Sequence, residues 1–328
     1  MWPSGADLVQ VSLGTAPCRL AFRVITRLDG SDDSVLPRPP VAVGPGGVIV
    51  TGTFQPGVMA VWAPDGSLLH SFGRGAGAGP GEFSIASGLA VSPDAIVHVF
   101  TGRPQWHQYS LDGDYIRTAS LPSAAGPRTG VVMPDGAMIM VVRLVESGLE
   151  QAGIFAWNGD QALRVGDFPS DPGVPPSFGF SPDLGLWSTD SRGLGLVRLG
   201  SPGGAEVLRL ALEGGWAAGS GTRVGRRHFF ELALDDRGLI WYLANVPGLE
   251  APAGEMPPAN SMEELRSNIR LYRDNVVEVV TLDGRLVASE RYVDPMAVPR
   301  PVTAHRWYVV EDDLMGSIVI VEPVLLDP

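Results

Sequence analysis

Five imidazoles, one thiol and a cation set made wholly of arginine are the chemically capable side chains of this 328-residue chain. Because all 24 basic residues are Arg, Schiff-base, Ser-x-x-Lys and P-loop lysine chemistries are absent. A GC-rich genome accounts for that bias without invoking function. Cys18 stands alone, so neither an intrachain disulfide nor a cysteine-cluster metal site can form. His70, His98, His107, His228 and His305 include no His-x-His or His-Glu-x-x-His pair, so an imidazole-held metal needs distant segments to converge. His70 and His98 fall in strand-like runs. His228 and His305 open strands near chain crossings and are the better candidates for function. The carboxylates Asp65, Asp112, Asp135 and Asp283 sit in turns, which they shape through their own backbone contacts. Glu82, Asp190, Glu231 and Asn245 are placed closer to a central channel, where such oxygens could hold calcium.

A second constellation joins aromatic rings to guanidiniums. Phe54, Arg103 with Trp106, Arg143, and Trp187 with Asp190 and Arg192 occupy equivalent loops of successive repeats, and His228 and Asn245 belong to the same mouth. Arginine grips carboxylates bidentately and aromatic faces supply apolar contact, so the set predicts a surface for a peptide, glycan or protein partner. Packing between repeats and solvated loop charge explain the same residues equally well.

The elements that must position these groups are short strands. Gly (42) and Pro (29) are spread along the chain, and with 45% hydrophobic residues they signal many turns between buried strands, not disorder. Two series of turns alternate. One comprises Gly44–Gly47, Ser92-Pro93-Asp94, Pro134-Asp135-Gly136, Ser181–Gly185 and Asp235–Gly238. The other comprises Pro64-Asp65-Gly66, Leu111-Asp112-Gly113, Trp157-Asn158-Gly159, Ser201–Gly204 and Leu282-Asp283-Gly284. Val-, Ile-, Leu- and aromatic-rich runs flank each turn and read as hairpin strands. Within a series the spacing is roughly 40–55 residues, the period of propeller blades. A four-stranded blade has one hairpin of each kind, which places blades at about 40–73, 87–122, 129–169, 178–213 and 228–293, with a last one from about residue 295.

The fold expected is therefore all-β: one six-bladed β-propeller of four-stranded antiparallel blades spanning residues 1–328 as a single domain. The last blade lacks its second hairpin. A ring must close to hide its sheet edges, and Leu8–Gly14 is the strand chosen to complete that blade beside three C-terminal strands, the alternative being a two-plus-two split that uses Ala21–Leu28 as well. The segment at about 247–275 interrupts the fifth blade. Its Ser261-Met262-Glu263-Glu264 is a capping box that starts a helix running to about Arg273. That helix would lie over or beside one mouth of the channel.

Ser71-Phe72-Gly73-Arg74-Gly75-Ala76-Gly77-Ala78-Gly79-Pro80-Gly81-Glu82-Phe83 has no Gly-x-Gly-x-x-Gly register and leads into no helix, so it is a shaped crossing and not a phosphate loop. It resembles the crossing between blades of NHL-repeat-like six-bladed β-propellers, a largely uncharacterised group in bacteria. Some NHL-type propellers are peptide-amidating lyases that hold zinc through a Pro-His-Ser after this crossing. The corresponding Ser84-Ile85-Ala86-Ser87-Gly88 has no His. The resemblance implies the fold; from the loop constellation the expectation is a non-catalytic binding propeller for a peptide, glycan or protein partner, with a calcium- or zinc-dependent hydrolase or lyase sited in the channel as the alternative.

The net charge of −12 disfavours nucleic acid and anionic membrane surfaces. No apolar run reaches the roughly 18 residues of a membrane span. Met1–Val11 lacks the basic and apolar regions of a leader, so the expectation is an extracytoplasmic protein if a leader has been removed, and a cytoplasmic one otherwise.

Overall fold

The computed structural model describes residues 7–12, 16–28, 35–101, 103–120, 127–132, 138–146, 149–157, 162–168, 178–181, 185–189, 195–199, 206–213, 228–248, 251, 256–293, 298–312 and 316–327. Two strands come first, β1 (Asp7–Ser12) and β2 (Arg19–Leu28). Four antiparallel strands then form each sheet in turn. The first holds β3 (Pro37–Val43), β4 (Ile49–Thr53), β5 (Met59–Trp62) and β6 (Leu68–Phe72). The second holds β7 (Gly88–Val91), β8 (Ile96–Phe100), β9 (Gln105–Ser110) and β10 (Tyr115–Ser120). The third holds β11 (Pro127–Val132), β12 (Met138–Glu146), β13 (Leu149–Trp157) and β14 (Ala162–Phe168).

In the fourth are β15 (Phe178–Ser181), β16 (Gly185–Thr189), β17 (Gly195–Leu199) and β18 (Glu206–Glu213). The fifth has β19 (His228–Leu234), β20 (Leu239–Pro247), β21 (Arg273–Thr281) and β22 (Leu286–Tyr292), with helix α1 (Met262–Tyr272) between β20 and β21. The last supplies β23 (Arg300–Thr303), β24 (Arg306–Asp312) and β25 (Ser317–Leu326).

The described strands thus make six sheets. The first strand of each sheet touches the first strand of the next, in the order β3, β7, β11, β15, β19, β23 and back to β3. A twisted sheet buries both faces only by packing on neighbours, and a ring of sheets gives every one of them two. Clusters of fully buried side chains fill the gaps. Trp106 and Trp157 meet edge to face at 4.9 Å between the second and third sheets. Trp187 packs with Tyr242 between the fourth and fifth, and Trp241 packs with Trp307 between the fifth and sixth. Leu28, Trp62, Ile318 and Ile320 join the sixth sheet to the first.

Closure differs from the expectation. The strand that completes the last sheet is β2, paired antiparallel to β25 from Arg19↔Leu326 to Leu28↔Ile318. The segment at Leu8–Gly14 does contain a strand, β1, but it runs parallel to β18 on the outer edge of the fourth sheet. Between them Cys18 donates its N–H to Val287 O on the outer strand of the fifth sheet. The N-terminal segment therefore passes along three sheet edges in succession, covering backbone groups that would otherwise be unpaired. Val9 and Val11 alternating with Gln10 and Ser12 mark a strand, but alternation does not say which edge receives it.

Turn chemistry follows the sequence where it is described. Gly66, Gly113, Gly238 and Gly284 all take positive φ and donate back to Ala63, Ser110, Asp235 and Thr281, closing tight hairpins. The turns expected at Pro134–Gly136, Asn158-Gly159, Pro182–Leu184 and Ser201–Gly204 lie outside the described residues. Helix α1 begins as its capping box requires, with Ser261 Oγ accepting from Glu264 N at 3.1 Å.

The crossing from β6 to β7 is shaped by backbone contact. A Cβ on Gly73 would lie 2.0 Å from Gly57 O, and one on Gly57 would lie 2.1 Å from the carbonyl carbon of Gly75. Phe83 N donates to Gly75 O at 3.1 Å, Gly79 N donates to Glu82 Oε2 at 3.0 Å, and the Tyr109 hydroxyl donates to Gly81 O. Glu82 is thus a staple within the crossing.

Candidate functional site

Each first strand starts at a crossing and ends in a hairpin, so crossings and the loops between second and third strands share one face. The loop-face residues named from sequence are only partly brought together there. Phe54 follows β4, stands 40% exposed and has the Arg38 guanidinium over its ring at 5.2 Å. Arg103 is exposed beyond β8. Trp106 and Trp187, by contrast, have no exposed surface; they are packing residues between sheets, which corrects their placement on the face. Arg143 lies within strand β12, opposite Ala152, and not in a loop; its side chain is outside the described residues, as are Asp190 and Arg192 altogether.

His228 begins β19 in register with Asn245, and the Asn245 amide is buried and donates to Asn275 Oδ1 at 3.3 Å. The other imidazoles are accounted for locally. His70 Nε2 donates to Leu111 O of the second sheet at 2.9 Å, and buried His107 stacks on Phe83. His98 is buried and meets Gln108. His305 sits in the hairpin between β23 and β24, on the face opposite the crossings, and not at a crossing as expected. There its Nε2 is 3.5 Å from Asp236 Oδ1 in a solvent-exposed pair.

Beside Phe54 is a recess of about 150 Å³ whose walls include Pro39, Pro40, Pro56, Phe83 and Ala86. Ile85, 64% exposed, stands on its rim. Pro39, Pro40 and Ala86 are shared with a larger cavity, which places the recess at the channel mouth.

That larger cavity is the space enclosed by the first strands, about 760 Å³. Val41, Leu89, Val132, Phe180 and Leu234 contribute to its wall from five of the sheets, beside the polar side chains of Ser87, Thr303 and His305. Glu231 on β19 and Arg300 on β23 interrupt it. Both strands carry register shifts, between Phe229 and Glu231 and between Pro301 and Thr303, and such bulges re-aim neighbouring side chains. Arg300 Nη1 donates to Glu231 Oε1 at 3.3 Å. Glu231 Oε2 is sealed from water and has no hydrogen-bond partner among the described residues.

Tyr308 faces Arg300 across the β23–β24 ladder, and its hydroxyl lies beside the same guanidinium. Burial pushes the Glu231 carboxyl up, partly offset by Arg300. Burial opposes the Arg300 charge as well, but Glu231 and Tyr308 outweigh it and hold the guanidinium above its ordinary value. Burial, then the Glu231 charge, raises Tyr308. Among the described residues, no three His, Cys, Asp or Glu side chains come close enough to share a metal ion.

The ring can be compared with known folds. A member of the DUF4221 family from Bacteroides vulgatus superposes with a TM-score of 0.64 at 8% identity, covering 94% of this chain and 99% of that one. A catalytically inactive variant of virginiamycin B lyase from Staphylococcus aureus with quinupristin gives a TM-score of 0.53 at 12% identity, covering 93% and 99%. The architecture is a β-propeller. No family profile matches the sequence, and no curated protein does either. At these identities the likeness extends to the fold alone.

Glu231 is a channel residue in the sequence reading too, though as a calcium ligand. Arg300 and Tyr308 escape that reading. Arg300 lies 69 positions from Glu231, and only closure of the fifth sheet against the sixth brings them together. A strand-opening Arg between Pro299 and Pro301 carries no local sign of a buried partner.

Proposed function

We propose that the chain is a single-domain, six-bladed propeller that binds a peptide segment of a partner on its crossing face, at the recess beside Phe54. The observation that carries this reading is the combination of exposed Phe54 and Ile85 with Arg38 around a recess open at the channel mouth. Exposed aromatic and aliphatic side chains next to an arginine are the composition of contact surfaces that anchor an apolar side chain and grip an adjoining carboxylate. The cleft supports a ligand with an aliphatic or aromatic residue next to Asp, Glu or a C-terminus. Arg103 on the neighbouring loop would extend the contact.

A random peptide display selection tests it. Wild-type protein should enrich apolar–acidic sequences, and the Phe54→Ala/Ile85→Ala double variant should not. Enrichment of the same sequences by both proteins, or of none by the wild type, would reject the face.

A further inference from the structure

Resting on the peptide reading of the crossing-face recess, we infer that its partner is an internal protein segment in which one aliphatic or aromatic residue is flanked on both sides by Asp or Glu, and not a chain terminus. The recess lies between two sheets. Pro39, Pro40 and Phe54 wall it from the first, and Phe83 and Ala86 wall it from the crossing into the second. Its volume of about 150 Å³ is room for a single side chain beside buried Met59, and too little for a small-molecule site.

Each side carries an arginine. Arg38 stands over the Phe54 ring at 5.2 Å, an arrangement that keeps the N–H fork for a carboxylate. Arg103 belongs to the second sheet and is exposed. Burial first, and the Arg103 charge as well, work against a proton on His107, whose ring stacks on Phe83 at 6.0 Å. Arg103 thus stands on the Phe83 side of the recess and Arg38 on the Phe54 side. No carboxylate offsets them. Among the described residues the recess wall has no Asp or Glu, and neither arginine has an acidic partner. Neighbouring Glu82 turns its carboxylate back to Gly79 N, 3.0 Å away.

On a chain of net charge −12, a recess edged by cations alone selects acidic segments by local complementarity. A basic residue on either side of the anchor would meet a guanidinium. A chain that ends at the anchor would satisfy one arginine with its terminal carboxylate and leave the other unmatched. An extended segment laid from sheet to sheet meets one arginine before the anchor and the other after it.

Fluorescence anisotropy of the full chain with four dye-labelled peptides of equal charge tests this. Three are blocked at both ends, centre on leucine and carry four aspartates: two on each side, all before the leucine, or all after it. The fourth ends in leucine with a free carboxylate and carries three aspartates before it. Wild type should bind the two-sided peptide at least about threefold more tightly than each of the others, the scale of one exposed ion pair. Arg38→Gln should weaken one of the one-sided peptides and spare the other, and Arg103→Gln should do the opposite. A two-sided peptide that binds no better than any of the others overturns the inference, as does weakening of the same one-sided peptide by both variants. If the four affinities are equal and the Phe54→Ala/Ile85→Ala variant loses them all, the recess stands and only the two-sided partner falls. Binding of none of the four by wild type rejects both.

Discussion

Acidification should destabilise this propeller through one buried imidazole in its second sheet. His98 is 4% exposed, and burial holds its pKa down to about 4, with the Asp94 charge working the other way. The hydrogen bonds explain why the neutral form is kept. Arg117 Nε donates to Gln108 Oε1 at 2.6 Å, which fixes the amide so that Gln108 Nε2 points at His98 Nδ1, 3.3 Å away. Nδ1 must then accept, and protonating it would set donor against donor.

The folded pKa lies below the ordinary 6.5, so the unfolded chain takes up the proton first as pH falls. Stability is therefore complete above about pH 6.5 and is lost progressively down to about pH 4. The linkage relation gives about 2 kcal/mol lost by pH 5 and about 3 kcal/mol by pH 4. His98→Asn keeps an acceptor near Nδ1 and cannot titrate. Urea unfolding of both proteins at several pH values between 7.5 and 4.5 isolates the difference from other titrating groups. Parallel stability profiles for wild type and variant would refute the reasoning.

Two further substitutions probe the scaffold. Gly57→Ala forces a side chain into the left-handed region and onto the Gly75 backbone, so it should cost at least about 3 kcal/mol in urea unfolding, whereas Gly46→Ala, with nothing within 4 Å, should cost only about 1–2 kcal/mol. Asp235→Asn removes one of two carboxylate oxygens that accept from Arg237 N, Leu239 N, the Arg237 side chain and Trp241 Nε1. The amide must face at least one of those donors, so a loss of about 2–4 kcal/mol is expected, read from the same unfolding midpoint.

How much was legible beforehand follows from the range of each interaction. Strand and hairpin positions were readable because Asp65-Gly66, Asp112-Gly113 and Asp283-Gly284 carry their turn geometry in two adjacent residues. The helix was readable because Ser261 and Glu264 cap it within one turn. Closure was not, since β1 and β2 share the same strand signature and only Leu28 against Trp62 and Ile318 decides between them. Trp106 and Trp187 look like surface aromatics because they neighbour loops in the sequence, yet each points between two sheets. The Glu231–Arg300 pair depends on two β-bulges and on the join between neighbouring sheets, none of which leaves a local pattern.

The channel and its mouth exist only if the chain closes through β2. Thiol cross-linking tests this most directly, with Ala21→Cys and Val324→Cys introduced together in a Cys18→Ser background. These positions lie opposite each other in the closing ladder, while Val9 pairs with Leu210 on the fourth sheet. Oxidation should give an intramolecular disulfide between positions 21 and 324 by mass spectrometry, and a Val9→Cys/Val324→Cys protein should give none. A cross-link from position 9, with none from position 21, would contradict the ring and the sites that depend on it.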